Sequence, residues 1–276
     1  MVDIARDVEV NLSLLRTGYS KFDILNERFK IEVSEDGADF IGTSLENLKN
    51  YPNWYLIGNK KFYFKERKGI RALVSELLGE DLSHFMDLDT IEYKIVQDSE
   101  SNILGLLSED IKDEGALYTR SCYLTKKDLQ EVKRILLDKT YECDEDLRRK
   151  LTAYLVRNFY ASLKDRIANS FLAKKNGKII LPAIIDYESS YIEPDMMTYT
   201  DPLINFTFHP ESIQYINENN EYYQEYVDKV LSYSYDEALR RVENTHQISI
   251  PSDVKEYYLG FENERNEFLS HIGFKK

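Results

Sequence analysis

Over the first hundred residues, apolar and polar positions alternate in short runs, the period of a strand with one buried face. Arg28-Phe-Lys-Ile-Glu-Val33 is such a run, Glu35-Asp-Gly37 reads as a turn, and Ala38-Asp-Phe-Ile41 reads as the next strand. Trp54-Tyr-Leu-Ile57 and Lys61-Phe-Tyr-Phe-Lys65 flank Gly58-Asn-Lys60 and predict a hairpin. Leu73, Leu77 and Leu78 then share one face of a helix over 70–82, and strands follow at 90–96 and 103–107. After about residue 115 the period becomes helical. Thr125 is placed to cap a helix carrying Leu129, Val132, Ile135 and Leu136. Leu147, Leu151, Tyr154, Leu155, Phe159 and Leu163 form the stripe of a long helix over 144–163. Three more helices are expected at 221–232, 235–243 and 251–272, the last with Pro251 in its first turn, where a missing N–H does no harm.

Between the helices lies one strong turn signal, Asn176-Gly177, flanked by apolar-rich runs. Both residues tolerate positive φ, which a two-residue hairpin turn requires. Folding there sets Ser170–Lys175 antiparallel to Lys178–Ala183. It also brings Asp165 and Asn169, before one arm, towards Asp186, after the other. A carboxylate, an amide and a second carboxylate in one small volume suit phosphoryl transfer: one Asp accepts a hydroxyl proton, and Asn and Asp hold magnesium. The same residue types also favour hairpin ends simply as turn formers. Earlier in the chain, Lys65 ends a strand and Glu76 lies on the next helix, a pairing that can aim an ammonium at nucleotide phosphates. An ordinary surface ion pair is the competing reading.

The chain has 276 residues, enough for one large domain or two lobes. Its formal net charge of −13 argues against direct, sequence-independent binding of nucleic acid. Met1-Val-Asp-Ile-Ala-Arg-Asp7 has no apolar signal region, and runs such as Ile179–Ile185 are too short to span a bilayer, so no membrane partner is expected. The two cysteines, Cys122 and Cys143, have no paired spacing, which fits a reduced, cytoplasmic setting. The four histidines are scattered, so a zinc site has little support. Neither Gly-x-Ser-x-Gly nor a Gly-x-x-x-x-Gly-Lys-Ser/Thr loop occurs.

Taken in order, four stretches resemble the HipA-like serine/threonine kinases, in particular their small single-chain, CtkA-type branch. Ile41-Gly-Thr-Ser44 with Trp54–Ile57 and Phe62-Tyr-Phe-Lys65-Glu66 is similar to that branch's phosphate loop and strand lysine. Val74-Ser-Glu76-Leu-Leu78 resembles the helix with the paired glutamate, and Ile103–Asp110 the strand leading to the inter-lobe hinge. Asp165-Arg166, Asn169 and Ile180–Ser190 resemble the catalytic and metal-binding pair, and Ile248–Leu269 with Arg265 the closing helix. The resemblance covers most of the chain past residue 40.

It implies an α+β, two-lobed protein-kinase-like fold: a small β-rich N-lobe over 1–110 and a larger helical C-lobe over 111–276. It implies an ATP- and Mg²⁺-dependent kinase acting on Ser or Thr of a protein, itself among the candidates. Asp165 would be the base and Asn169 and Asp186 the Mg²⁺ ligands. Lys65 and Glu76 would position ATP, Gly42, Thr43 and Ser44 would cover its phosphates, and Leu107, Ser108, Glu109 and Asp110 would line the adenine through backbone groups. Several relatives are toxins or effectors, some with an antitoxin or other regulatory partner. Two positions depart from the family: Ile167 stands where a His is usual, and Ser170 where the metal-binding Asn is usual, with Asn169 one residue earlier. These departures motivate the alternative of a pseudokinase, a binding or regulatory module without turnover.

Overall fold

In the computed structural model, the described residues are 4–7, 22–24, 30–33, 54–57, 60–66, 69–98, 103–109, 116–120, 126–160, 171–176, 178–181 and 218–271. The expected turn at 35–37 and strand at 38–41 lie outside them. So do Gly42, Thr43, Ser44, Asp110, Asp165, Ile167, Asn169, Ser170 and Asp186. The described residues are mixed α and β, their paired strands all antiparallel, and the chain's contacts divide it into two compact units. The first comprises residues 1–73 and 91–111, the second 74–90 and 112–276.

The first unit is a seven-stranded antiparallel sheet. Its strands are β1 (Ile4–Asp7), β2 (Phe22–Ile24), β3 (Lys30–Val33), β4 (Trp54–Ile57), β5 (Lys60–Glu66), β6 (Tyr93–Asp98) and β7 (Ile103–Glu109), in the order β1-β3-β4-β5-β7-β6-β2. The predicted hairpin at Gly58 is present: Ile57 pairs with Lys60 and Trp54 with Tyr63, so two residues connect the strands. Alternation decides which face of β5 is buried. Phe62 and Phe64 are buried, while Tyr63 and Lys65 are half-buried. In β7, Gly105 to Ser108 are all buried, as suits an inner strand with neighbours on both sides.

Helix α1 (Ile70–Phe85) crosses from the first unit to the second within its first turn. Every residue from Leu73 to Glu80 is buried, so this stretch of the helix is enclosed on all sides and not only along the expected Leu73–Leu77–Leu78 face, while Arg71 and His84 are exposed. It also runs past the expected end at Leu82. Asp87 adopts the left-handed region at φ 57° and stops it, and the Leu88 N–H reaches back to the Ser83 carbonyl at 2.9 Å. That is the six-to-one bond of a Schellman stop, made without the usual glycine.

The second unit continues with β8 (Ala116–Arg120), α2 (Lys126–Leu137), α3 (Glu145–Tyr160), β9 (Phe171–Lys175), β10 (Lys178–Ile180), α4 (Glu221–Leu231), α5 (Tyr235–His246) and α6 (Ser252–His271). The Asn176 hairpin forms, with Lys175 opposite Lys178 and Asn176 at φ 54°, and its second strand ends at Ile180, short of the expected Ala183. Strand β8 was not expected, because its segment lies where the pattern reads as helical. It pairs along the whole of β9 and makes a three-stranded sheet, β10-β9-β8. The buried Asn220 caps α4. Its side chain accepts from Tyr222 N–H at 3.0 Å and donates to Leu136 O and Thr152 Oγ1, tying the start of α4 to the end of α2 and the middle of α3.

Candidate active site

The first unit's share of the predicted site is built on β5 and β7. Their register sets Lys65 opposite Leu106, Phe64 opposite Leu107, Tyr63 opposite Ser108 and Phe62 opposite Glu109. Lys65 is half-buried and not without a partner. Its ammonium stem lies on the β5 face opposite Phe62 and Phe64, since side chains alternate along a strand. Leu107 and Ser108 are buried in β7, and Glu109 is exposed. On the β6 side the paired register of β7 ends with Tyr93 opposite Ser108, while on the β5 side it continues to Glu109. The backbone of Leu107 and Ser108 thus lies within ladders on both sides, and β7 backbone beyond the β6 ladder begins at Glu109.

Glu76 belongs to the second unit. It is 1% exposed on the enclosed α1, and it too has a partner. A carboxylate so deeply buried has to be paired or neutral, so Glu76 is no solvated surface acid. Further along α1, Asp81 accepts two bonds from Arg241, Nε to Oδ1 and Nη2 to Oδ2, both 2.8 Å, and a third from Tyr233 Oη at 2.8 Å. That bidentate geometry raises the Arg241 pKa and pins α1 to α5. His246 lies 3.8 Å from Glu80, and both are nearly buried. Burial pushes the imidazole below its ordinary value, so at neutral pH this is a packing contact with a neutral ring.

The segments carrying the predicted chemistry are each flanked by described structure. Residues 161–170, with Asp165 and Asn169, follow α3 and precede β9; Asp186 follows β10. Because β9 and β10 are antiparallel, the first residue of β9 and the last of β10 lie at the same end of the hairpin. Strand β9 is held on both sides, by β8 and β10. The end of α3 is held as well: Arg265 Nε, from α6, donates to Tyr160 O at 2.8 Å. Arg157, in the last turn of α3, donates to Gly79 O at 3.2 Å and to Asn158 Oδ1 at 2.7 Å. Both arginines are fully buried. No local pattern in the sequence marks either as a core residue.

Among the described residues, no group of three or more His, Cys, Asp or Glu is placed to hold a metal ion. Nor is any helix among them long and apolar enough to cross a membrane. No known family profile matches the chain, and no curated protein sequence does. Among solved structures, the chain is similar to the crystal structure of a Helicobacter pylori proinflammatory kinase, CtkA. The similarity has a TM-score of 0.47 and 12% sequence identity, over 78% of this chain and 90% of that one. Likeness at that level assigns neither family nor function.

Proposed function

We propose that this chain is a HipA-like protein serine/threonine kinase that uses ATP and Mg²⁺. The observation that carries the reading is the setting of Lys65. It lies near the end of β5, paired with inner strand β7, whose continuation at Ile111–Lys112 takes the chain from the first unit into the second. A lysine beside the strand that leads onward, then a helix with a buried glutamate, then a tight hairpin flanked by Asp165, Asn169 and Asp186, is the order a kinase uses. The N-lobe over 1–110 and C-lobe over 111–276 belong to the same proposal.

Lys65 and Glu76 position the nucleotide, and Gly42, Thr43 and Ser44 cover its phosphates. Asp165 accepts the proton as the substrate hydroxyl oxygen bonds to the γ-phosphorus and the bond to the ADP oxygen breaks. Asn169 and Asp186 offer oxygen donors, the chemistry Mg²⁺ prefers, and Mg²⁺ when bound neutralises charge on the phosphates. The substrate is a protein Ser or Thr, and the acidic chain, at −13, favours a basic partner by steering. An antitoxin-like or regulatory protein is a further proposed partner. The test is transfer from γ-labelled ATP followed by phosphoamino-acid identification. Label on Ser or Thr is expected, and label only on another residue type contradicts the reading.

A second reading, a pseudokinase, is favoured by Ile167 and by the position of Asn169 beside Ser170. It predicts nucleotide binding without transfer to any acceptor.

A further inference from the structure

The end of helix α2 and the turn after it line a cavity of about 430 Å³. Three cations border it, Lys133, Arg134 and Lys139, with one carboxylate, Asp138. Arg134 and Lys139 are exposed, and Lys133 is half-buried. The chain as a whole carries −13, so a basic cavity departs from the charge of its surroundings. Its volume falls in the range of small-molecule sites, about 300–1,000 Å³.

Basic side chains near a helix C-terminus often serve its last carbonyls. Here other groups do so. Arg134 O receives the Asp138 N–H at 2.9 Å, and Leu136 O receives Asn220 Nδ2 at 3.0 Å. Asp138 O receives Arg148 Nη2 and the Tyr141 N–H, both at 3.0 Å. Arg134 and Lys139 are not among these donors. The carboxylate is committed within its own turn. Asp138 Oδ1 accepts from Thr140 Oγ1 at 2.6 Å and from the Thr140 N–H at 2.9 Å. The hydroxyl bond first, and then the N–H bond, hold its pKa below the ordinary value, so it stays charged and offsets one cation of the three.

The turn is also set in place without a ligand. Besides Asp138 O, Arg148 Nη2 donates to Tyr141 O at 3.0 Å and meets Cys143 Sγ at 3.4 Å, which ties residues 138–143 together. The Arg134 guanidinium lies over the Tyr141 ring, 5.5 Å from its centroid, and so has a seat beside the cavity. Groups already in position lose little freedom when they meet an anion.

We propose that this cavity binds a small phosphorylated molecule. Arg134 and Lys139 take the phosphate, for which a guanidinium fork and an ammonium are suited donors. Lys133, which has a partner within the chain as well, adds charge, and Leu137 offers an apolar wall to the body of the ligand. The surplus of positive charge matches a phosphate monoester, which is close to a dianion at neutral pH. The site lies within the second unit and does not depend on the kinase reading.

Isothermal titration calorimetry on the full chain, in chloride buffer, tests this with phenyl phosphate, phenol and inorganic phosphate. Arg134→Gln and Lys139→Glu are titrated alongside; both positions are exposed, and thermal midpoints check that the variants stay folded. Arg240→Gln, a loss of charge at an exposed position on α5, is the control. Phenyl phosphate should bind with a millimolar or lower Kd, inorganic phosphate more weakly, and phenol not at all. Each cavity substitution should weaken phenyl phosphate about tenfold or more, the loss of one charge-assisted contact, and Arg240→Gln should leave it unaltered. Four results overturn the proposal: neither phosphate probe binds, inorganic phosphate binds as tightly as the ester, binding survives both cavity substitutions, or Arg240→Gln weakens it equally.

Discussion

Asp81 joins two helices through a single carboxylate. It receives Arg241 in bidentate form and Tyr233 besides, and its own side chain is 16% exposed. Removing it takes the shared acceptor from a guanidinium fork and a phenol, and leaves Arg241 with Glu237 at 4.0 Å. Asp81→Ala should lower stability by about 1–3 kcal/mol, the range for a lost charge-assisted network at a part-exposed site, read from denaturant midpoints at unchanged m-value. Asp81→Asn should recover about half. Lys65 is half-buried and has a partner of its own, so Lys65→Met should lower stability by about 1 kcal/mol while the chain stays folded. Transfer should fall roughly 10²-fold, the typical effect of deleting one preorganised positive group. A Lys65→Met variant that unfolds, or one with full turnover, contradicts the role assigned to this residue.

At the scale of elements, hairpin β9–β10 rests on Asn176 at φ 54°. A β-branched side chain pays a steric penalty there that asparagine avoids. Asn176→Val should cost about 1–2 kcal/mol, and Asn176→Gly should cost almost nothing. Chemical denaturation of the two variants checks both. This hairpin, the β4–β5 hairpin and the helices α4 to α6 were legible in the sequence because their signals are local: a turn pair, an alternation, a stripe with a cap. Strands β1, β2 and β8 were not. They are three to five residues long, and each gains its place from a distant partner, β1 from β3, β2 from β6 and β8 from β9. Short runs carry little periodicity, and pairing across such separations leaves no local mark. The same distinction governs the candidate site: the strand that carries Lys65 and the hairpin could be read from neighbouring residues, whereas the bond from Arg265 to Tyr160 O joins residues 105 apart in sequence.

For the whole molecule, stability should fall as the solution is acidified, in two windows. Burial lowers the His246 pKa from its ordinary 6.5, so below that value the unfolded chain takes a proton that the folded chain refuses. Stability is full above pH 6.5 and declines as pH falls towards the folded value. Glu80 and Asp81 on α1 face His246, and burial outweighs the pull of Asp81, so the ring stays neutral beside them. Lys255 hydrogen-bonds Glu243 and holds its pKa below the ordinary 4.5, so that contribution is lost only at lower pH. Thermal midpoints measured from pH 7.5 to 5 should fall in the wild type and stay flatter in His246→Gln. Parallel curves for the two proteins contradict the assignment to His246.

The central claim, that this chain transfers phosphate with Asp165 as its base, is tested most directly by intact mass. Wild type and Asp165→Asn are incubated with Mg²⁺-ATP, and each is weighed whole beside a sample without nucleotide. The account predicts one or more phosphates on the wild type, and on the variant a rate lower by roughly 10²–10⁴-fold, the usual contribution of a general base. Equal phosphate on both proteins would contradict it.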